Sequence, residues 1–454
     1  MNRLLWWSVA GWMFLAAASV RHVAVWGSGY EPFGVPMPQL LHAFEAIGLC
    51  LFIALAGRAY LEATSRRTAI DERAVWSGAF VLGAIAFAMP PFLSSDVFDY
   101  LARGRVEAHY GANPYVVAPL AHAGDPVIDA AQWPAFIMPY GPLSAALQGV
   151  IAALAGESVW LGVVLFKLVF LACHLLTGRW LHAAALRVAP AAAPRVLVGW
   201  LWNPWLLLES AGSAHNEALM AAFLAAMVLR IADGRFAGAT FAFGCALLTK
   251  HGCALLGPLL LALAVRRHAV WPFVGGALAT GALLAPAAWH WFAEPGALEF
   301  LAKQTHNRGA SLQHFLVVAI GEAAARPALL GGYAITLAAL AFAILRTRDV
   351  ASFARQGQTL LLVFLATAMP LVSPWYHLWW LPLVALSPSP LLVTLRALAI
   401  CGPLSYLVWL GLRRLDGPHQ AWQWTFAVLM PIAFAAHAGR RARRARAGSG
   451  AEHQ

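Results

Sequence analysis

Two carboxylates three residues apart open the run Ser94-Ser95-Asp96-Val97-Phe98-Asp99-Tyr100-Leu101-Ala102-Arg103-Gly104-Arg105. On a helix, positions i and i+3 share a face, so Asp96 and Asp99 can point into one cavity with Arg103 a turn further on. A carboxylate so placed can take a proton from an attacking hydroxyl. The competing reading is a helix start: Asp96 caps, and Asp99 stands at N3.

The same choice recurs down the chain. Tyr110-Gly111-Ala112-Asn113-Pro114-Tyr115 is a tight turn whose rings can stack on a sugar face or sit at a membrane interface. Met138-Pro139-Tyr140-Gly141-Pro142-Leu143 reads as the start of an interfacial helix. His215-Asn216-Glu217, after Glu209 and Ser210, can bind hydroxyls or cap a helix; no second ligand set accompanies it, so no metal site is expected. Lys250-His251 can receive a phosphate, or Lys250 can snorkel to headgroups. Gln304 to His314 is a loop of donors in which Arg308 suits paired phosphate oxygens. Ser373-Pro374-Trp375-Tyr376-His377-Leu378-Trp379-Trp380 fits an aromatic belt, with His377 able to donate to a leaving phosphate.

The elements that carry these residues must lie in a membrane. The 454 residues are 61% hydrophobic and 11% charged, and soluble domains carry roughly 25% charge. Apolar runs predict spans near 4–26, 38–57, 74–92, 158–177, 196–211, 216–231, 236–249, 253–265, 270–289, 328–345, 358–372, 377–387, 390–411 and 421–437. The expectation is an all-α polytopic protein with about 11–14 transmembrane helices, its first helix retained rather than cleaved as a signal peptide.

The net charge of +11 suits retained loops better than nucleic acid. Arg58/Arg66/Arg67/Arg73, Arg179/Arg187/Arg195, Arg230/Arg235, Arg266/Arg267, Arg346/Arg348 and the Arg440–Arg446 tail fall on one side, expected to be cytoplasmic; Arg413 and Arg414 violate the pattern. Segments 93–157, 212–215, 250–252, 290–327, 373–376 and 412–420 fall on the other. The chain thus divides into one integral domain, 1–437, with a long outer loop at 93–157 containing interfacial helices, and a basic tail, 438–454. Cys50, Cys173, Cys245, Cys253 and Cys401 form no CxxC pair and read as free thiols. A transporter or flippase is the rival class, but such proteins place charge at the bilayer midplane and show repeats.

The order of the motifs is more specific than any one of them. Asp96 and Tyr100, Gly104-Arg105, Asn113-Pro114-Tyr115, Tyr140-Gly141-Pro142, His215-Asn216-Glu217, Lys250, Asn307-Arg308-Gly309 and Pro374-Trp375-Tyr376 together resemble the bacterial polyprenyl-phosphate-mannose-dependent mannosyltransferases, within the type C (GT-C) membrane glycosyltransferases. The likeness covers about residues 75–390. It departs in lacking a Pro-Pro pair after Tyr115 and in having Glu217 where relatives more often carry Asp.

The resemblance implies a GT-C fold in the bacterial inner membrane with its active site on the periplasmic side. It implies inverting transfer from a polyprenyl-phosphate sugar to a glycan or glycolipid hydroxyl, with Asp96 as base and Asp99 a possible second acid. Lys250, Arg308, His377, Arg103 and Arg105 are then candidates for the donor phosphate. Tyr100, Asn113, Tyr115, Tyr140, His215, Asn216, Glu217, Asn307, Trp375 and Tyr376 are candidates for sugar and acceptor. No cofactor, metal or nucleic acid is expected; membrane lipid is.

Overall fold

The computed structural model describes residues 1–20, 39–65, 68–91, 93–299 and 309–412, with isolated positions between 425 and 433. The candidates Asn307 and Arg308, the expected span at 421–437 as a whole, and the basic tail lie outside the described residues. Among those described the chain is helical and without strands; one isolated parallel bridge pairs Gly309 with Leu371.

The helices are α1 (Asn2–Ser19), α2 (Gln39–Phe52), α3 (Arg58–Ala63), α4 (Glu72–Ala88), α5 (Asp96–Ala108), α6 (Pro126–Asp129), α7 (Pro142–Ala155), α8 (Val159–Val188), α9 (Ala193–Leu201) and α10 (Pro204–Leu207). They continue as α11 (Glu217–Ala232), α12 (Phe236–Thr249), α13 (Leu256–Arg266), α14 (Val270–Trp291), α15 (Leu312–Ile320), α16 (Glu322–Arg346), α17 (Val350–Thr367) and α18 (Pro388–Leu412). Among the described residues, four segments are long and apolar enough to cross a bilayer: Ala43–Ala63, α8, α14 and α16. A fifth counts if the bent pair Pro204–Gly212 and α11 is one span. The shorter apolar helices include α7, α12 and α13. The protein is therefore an all-α polytopic membrane protein, as its composition requires.

Two expected spans take other forms. The run 196–211 breaks at Asn203-Pro204. Asn203 Oδ1 accepts the Trp205 and Leu206 N–H groups at 3.1 and 3.2 Å, and its Nδ2 reaches Leu395 O at 3.2 Å, so it caps a new helix instead of continuing the old one. A π-helical turn, Leu208–Gly212, then leads into a 120° bend before α11. Ala214 sits in the bend at φ 59, a left-handed conformation rare outside glycine. The run 377–387 forms two 3-10 turns, Pro374–Trp379 and Leu381–Leu386, buried in the core rather than spanning. Irregular backbone at membrane depth is tolerated where protein covers it.

A buried lysine fastens the bend. Lys167, from the first third of α8, donates to Ala86 O at 3.1 Å, Met89 O at 2.7 Å and Gly212 O at 2.7 Å. These carbonyls belong to the end of α4, which stops before Pro90-Pro91, and to the end of the π turn. Without the ammonium they would face the apolar interior unanswered.

Predicted outer segments meet at one end of the bundle. Gly141 N–H donates to Thr249 O at 3.0 Å, joining the long loop to the end of α12. A Cβ on Gly141 would lie 2.3 Å from Leu248 O, and one on Gly104 2.1 Å from Gln148 O. Both motif glycines therefore permit backbone-to-backbone contact. The arginine-bearing turns meet elsewhere: Arg187 pairs with Asp233, and Arg266 donates to Leu345 O at 3.4 Å. The 30-residue α8, roughly 45 Å long, runs from the long loop to Arg187.

Candidate active site

The first residue of α5 faces the bend before α11. Asp96 Oδ2 lies 3.9 Å from His215 Nε2 and accepts from the Tyr100 hydroxyl at 3.5 Å, one turn on. The Tyr100 hydroxyl also accepts the Asn216 N–H at 3.4 Å. His215 Nε2 is 2.9 Å from Ser94 Oγ, and Ser94 Oγ accepts the Asp96 N–H at 3.3 Å. The His215 ring stacks on Trp375, centroids 3.9 Å apart and planes 18° apart. Its Nδ1 lies 2.9 Å from Glu209 Oε2, close enough for an ion pair though out of line for a straight hydrogen bond. Both oxygens of Glu209 are within reach of the Tyr406 hydroxyl, at 2.9 and 3.0 Å.

Beside this sits a second pair. Glu217, the first residue of α11, is ion-paired with Lys250 at the end of α12. The Lys250 ammonium lies 5.1 Å from the Tyr140 ring centroid and 4.9 Å from that of Tyr376. The Tyr100 and Tyr140 rings meet edge to face at 5.4 Å. Asn216 Nδ2 reaches Ser144 Oγ at 3.3 Å, as does Gln148 Nε2 at 3.0 Å. This leaves Asn216 Oδ1, Gln148 Oε1 and Glu217 Oε2 buried without hydrogen-bond partners among the described residues.

Of the three carboxylates, Glu209 and Glu217 are fully buried, and only the Asp96 side chain is partly open, at 24% exposure. Asp96, Tyr100, Tyr140, His215, Asn216, Glu217, Lys250, Trp375 and Tyr376 thus come together from five segments of the chain.

Other sequence candidates are engaged elsewhere. Asp99 turns away from Asp96 to the long loop, where its Oδ1 accepts the Trp133 N–H at 2.7 Å and lies 3.9 Å from Arg103 Nη2. Burial pushes its carboxyl up to about 7 against the pull of the Arg103 guanidinium. Arg103 donates to Phe136 O at 3.3 Å. Arg105 pairs with Asp125 at 2.6 Å and donates to Gly156 O at 2.8 Å, which fixes the loop instead of leaving a free cation for a phosphate. Asn113 accepts the Tyr115 N–H at 3.0 Å and donates to Trp291 O and to Glu294, each at 2.8 Å. Tyr115 is buried with its hydroxyl on Tyr140 O at 2.9 Å. The buried His377 ring meets Trp205 and Trp380 edge-on in the apolar core, not the His215–Trp375 stack. No group of three or more His, Cys, Asp or Glu is placed to hold a metal ion among the described residues.

Ser94 and Glu209 stand beside residues singled out in sequence, yet nothing local marks their partners. Tyr406 gave no signal at all: it reaches Glu209 across 197 positions.

A polytopic helical membrane protein with an acid-bearing cluster beneath a long loop is the class that fold and site define. Residues 5–266 match the family profile described as alpha-(1->6)-mannopyranosyltransferase, N-terminal domain, and the chain belongs to that family. It is 27% identical over 169 residues to alpha-(1->6)-mannopyranosyltransferase A of Corynebacterium glutamicum, covering 37% of this chain and 34% of that one. It is 27% identical over 211 residues to alpha-(1->6)-mannopyranosyltransferase A of Mycobacterium tuberculosis, covering 46% and 38%. It is 34% identical over 137 residues to a probable alpha-(1->6)-mannopyranosyltransferase of Mycolicibacterium smegmatis, covering 29% and 24%. The chain spans about a third of the length of the first two relatives. No solved structure matches.

Proposed function

We propose that the chain is an inverting mannosyltransferase of the bacterial inner membrane. It transfers mannose from a polyprenyl-phosphate donor to a hydroxyl of a glycan or glycolipid on the periplasmic face. Family membership supports the sugar, since the relatives are named for mannosyl transfer. It does not favour the transporter or flippase alternative.

The observation that carries the mechanism is the opening at Asp96. It is the partly exposed carboxylate in a cluster whose other acids are fully buried, Glu217 paired with Lys250 and Glu209 beside the His215 imidazole. As the acceptor oxygen bonds to the sugar C1 and the phosphate departs with its electron pair, Asp96 takes the hydroxyl proton. The phosphate is already a good leaving group, so protonating it is secondary. Arg308 supplies positive charge to it, the Lys250 charge being met by Glu217, and the Trp375 and Tyr376 rings flank the sugar.

The test is transfer of radiolabelled mannose in membranes that contain the protein. Polyprenyl monophosphate mannose should serve as donor, and GDP-mannose should not when polyprenyl phosphate is absent. Direct use of the nucleotide sugar would overturn the donor assignment.

A further inference from the structure

Behind Asp96, on the side away from its opening, stands a charge arrangement that a simple general base does not require. Glu209 is fully buried, and among the described residues its neighbouring cation candidate is the equally buried His215, at 2.9 Å. A buried carboxylate is costly unless it is paired and hydrogen-bonded. Tyr406 supplies one hydrogen bond, shared between the two Glu209 oxygens, and a protonated His215 supplies the charge. The other ring nitrogen then carries a proton toward Ser94 Oγ at 2.9 Å and Asp96 Oδ2 at 3.9 Å. The Trp375 stack fixes the plane of the ring, and the π turn and 120° bend bring Glu209 and His215 to face each other.

We propose that Glu209, His215 and Asp96 form a carboxylate–imidazole–carboxylate array in which Glu209 is a positioning residue. It keeps His215 an imidazolium, and that cation keeps Asp96 ionised and oriented, ready to accept the acceptor's proton. This deepens the reading of Asp96 as the base and rests on it. During transfer the acceptor O–H bond breaks as its oxygen bonds to C1, and the C1–O bond to phosphate breaks with the pair leaving on phosphate. The proton moves to Asp96 and then to water, so His215 and Glu209 end the cycle as they began.

The charged and titratable groups facing His215 are these. Glu209 comes from the π turn and Asp96 from the start of α5, while Tyr406 of α18 places its hydroxyl on Glu209. Glu217 comes from α11, already neutralised by Lys250 of the α12 end. Removing the Glu209 charge leaves the imidazole without the partner that holds its proton. Asp96 then loses an adjacent cation and binds a proton more readily, so its ionised form is reached only at higher pH.

The experiment is the pH dependence of kcat/KM for polyprenyl monophosphate mannose and a synthetic mannoside acceptor in reconstituted membranes. In Glu209→Gln the acid limb should move up by about one pH unit. In Glu209→Asp, which keeps the charge, it should stay in place even though the rate falls. His215→Gln should reproduce the upward shift, and it serves as the second variant if Glu209→Gln fails to fold. Limbs that coincide in wild type and both Gln variants would overturn the inference even where the rate drops, because a packing defect lowers a rate without moving a limb. Asp96→Asn is run alongside. If it stays active, the assignment of the base has failed; if it is inactive and the limbs coincide, only the array has failed.

Discussion

The two ends of α5 carry charge in opposite ways. At its far end Arg105 is bonded to Asp125 and to Gly156 O, while Asp125 also accepts from the Tyr110 hydroxyl and the Val127 N–H, each at 2.8 Å. Each of these charges is met within the loop. At its near end the Asp96 carboxylate has, among the described residues, a long contact to Tyr100 and an imidazole at 3.9 Å, and it keeps an open face. Three buried acceptors nearby, on Asn216, Gln148 and Glu217, are unmet among the described residues. One helix therefore carries a loop clasp and a reactive end nine positions apart, separated by satisfaction of valence rather than by residue type. An acid spent on structure has its bonds made; one kept for chemistry has a valence in reserve.

The comparison breaks most sharply at the open end. Asp96→Asn should leave the protein folded in membranes and lower mannosyl transfer by about 10²- to 10⁴-fold, the range for loss of a general base. Activity within a few-fold of wild type would remove the distinction between the two ends. Next in size is the buried pair beside it. Lys250→Met strands the Glu217 carboxylate in an apolar site and should cost about 3 kcal/mol of stability. Glu217→Gln, Lys250→Met should recover part of that loss, measured as the temperature at which detergent-extracted protein aggregates. A double variant no better than the single one would mean the pair does not couple.

Sequence order carried the near end well. The motifs at 96–100, 140–142, 215–217, 250 and 374–376 meet in space, because each sits where an apolar run stops on the same predicted side. The clasp was illegible for the opposite reason. Arg105, Asn113 and Tyr115 lie inside motifs, but their roles depend on partners such as Asp125, Gly156 and Trp291 that no local spacing announces. Hydropathy likewise found 196–211 and 377–387 apolar without showing that Asn203 breaks the first or that the second folds into 3-10 turns. Composition reports that a segment is out of water; it does not report whether lipid or protein surrounds it.

At the clasp the expected effects are on stability, with chemistry untouched. Burial raises the proton affinity of the Asp125 carboxyl, but the bonds from Arg105 and Tyr110 outweigh it and hold the group below its usual 3.8. Its contribution is therefore present above that value and lost as the pH falls below it. Asp125→Asn should cost about 2 kcal/mol at neutral pH, with transfer per folded molecule within a few-fold of wild type. A large loss of specific activity would show that the clasp also shapes the site.

The finest test lies between the two ends, at Asp99. Burial raises its folded value to about 7 from 3.8, so the folded protein holds a proton that the unfolded chain releases. Between those two values the unfolded state binds fewer protons, and stability falls as pH rises. Above about 7 the cost is fully in place. Asp99→Asn fixes the neutral form, and its amide oxygen can still accept the Trp133 N–H. The variant's melting temperature should therefore decline less than that of wild type between pH 4 and 7, by a few degrees at most, since losing the Arg103 contact offsets part of the gain. Equal slopes would mean that Asp99 stays ionised in the folded loop. It would then be a second available carboxylate, and the contrast between the two ends of α5 would narrow to Asp125 and Asp96 alone.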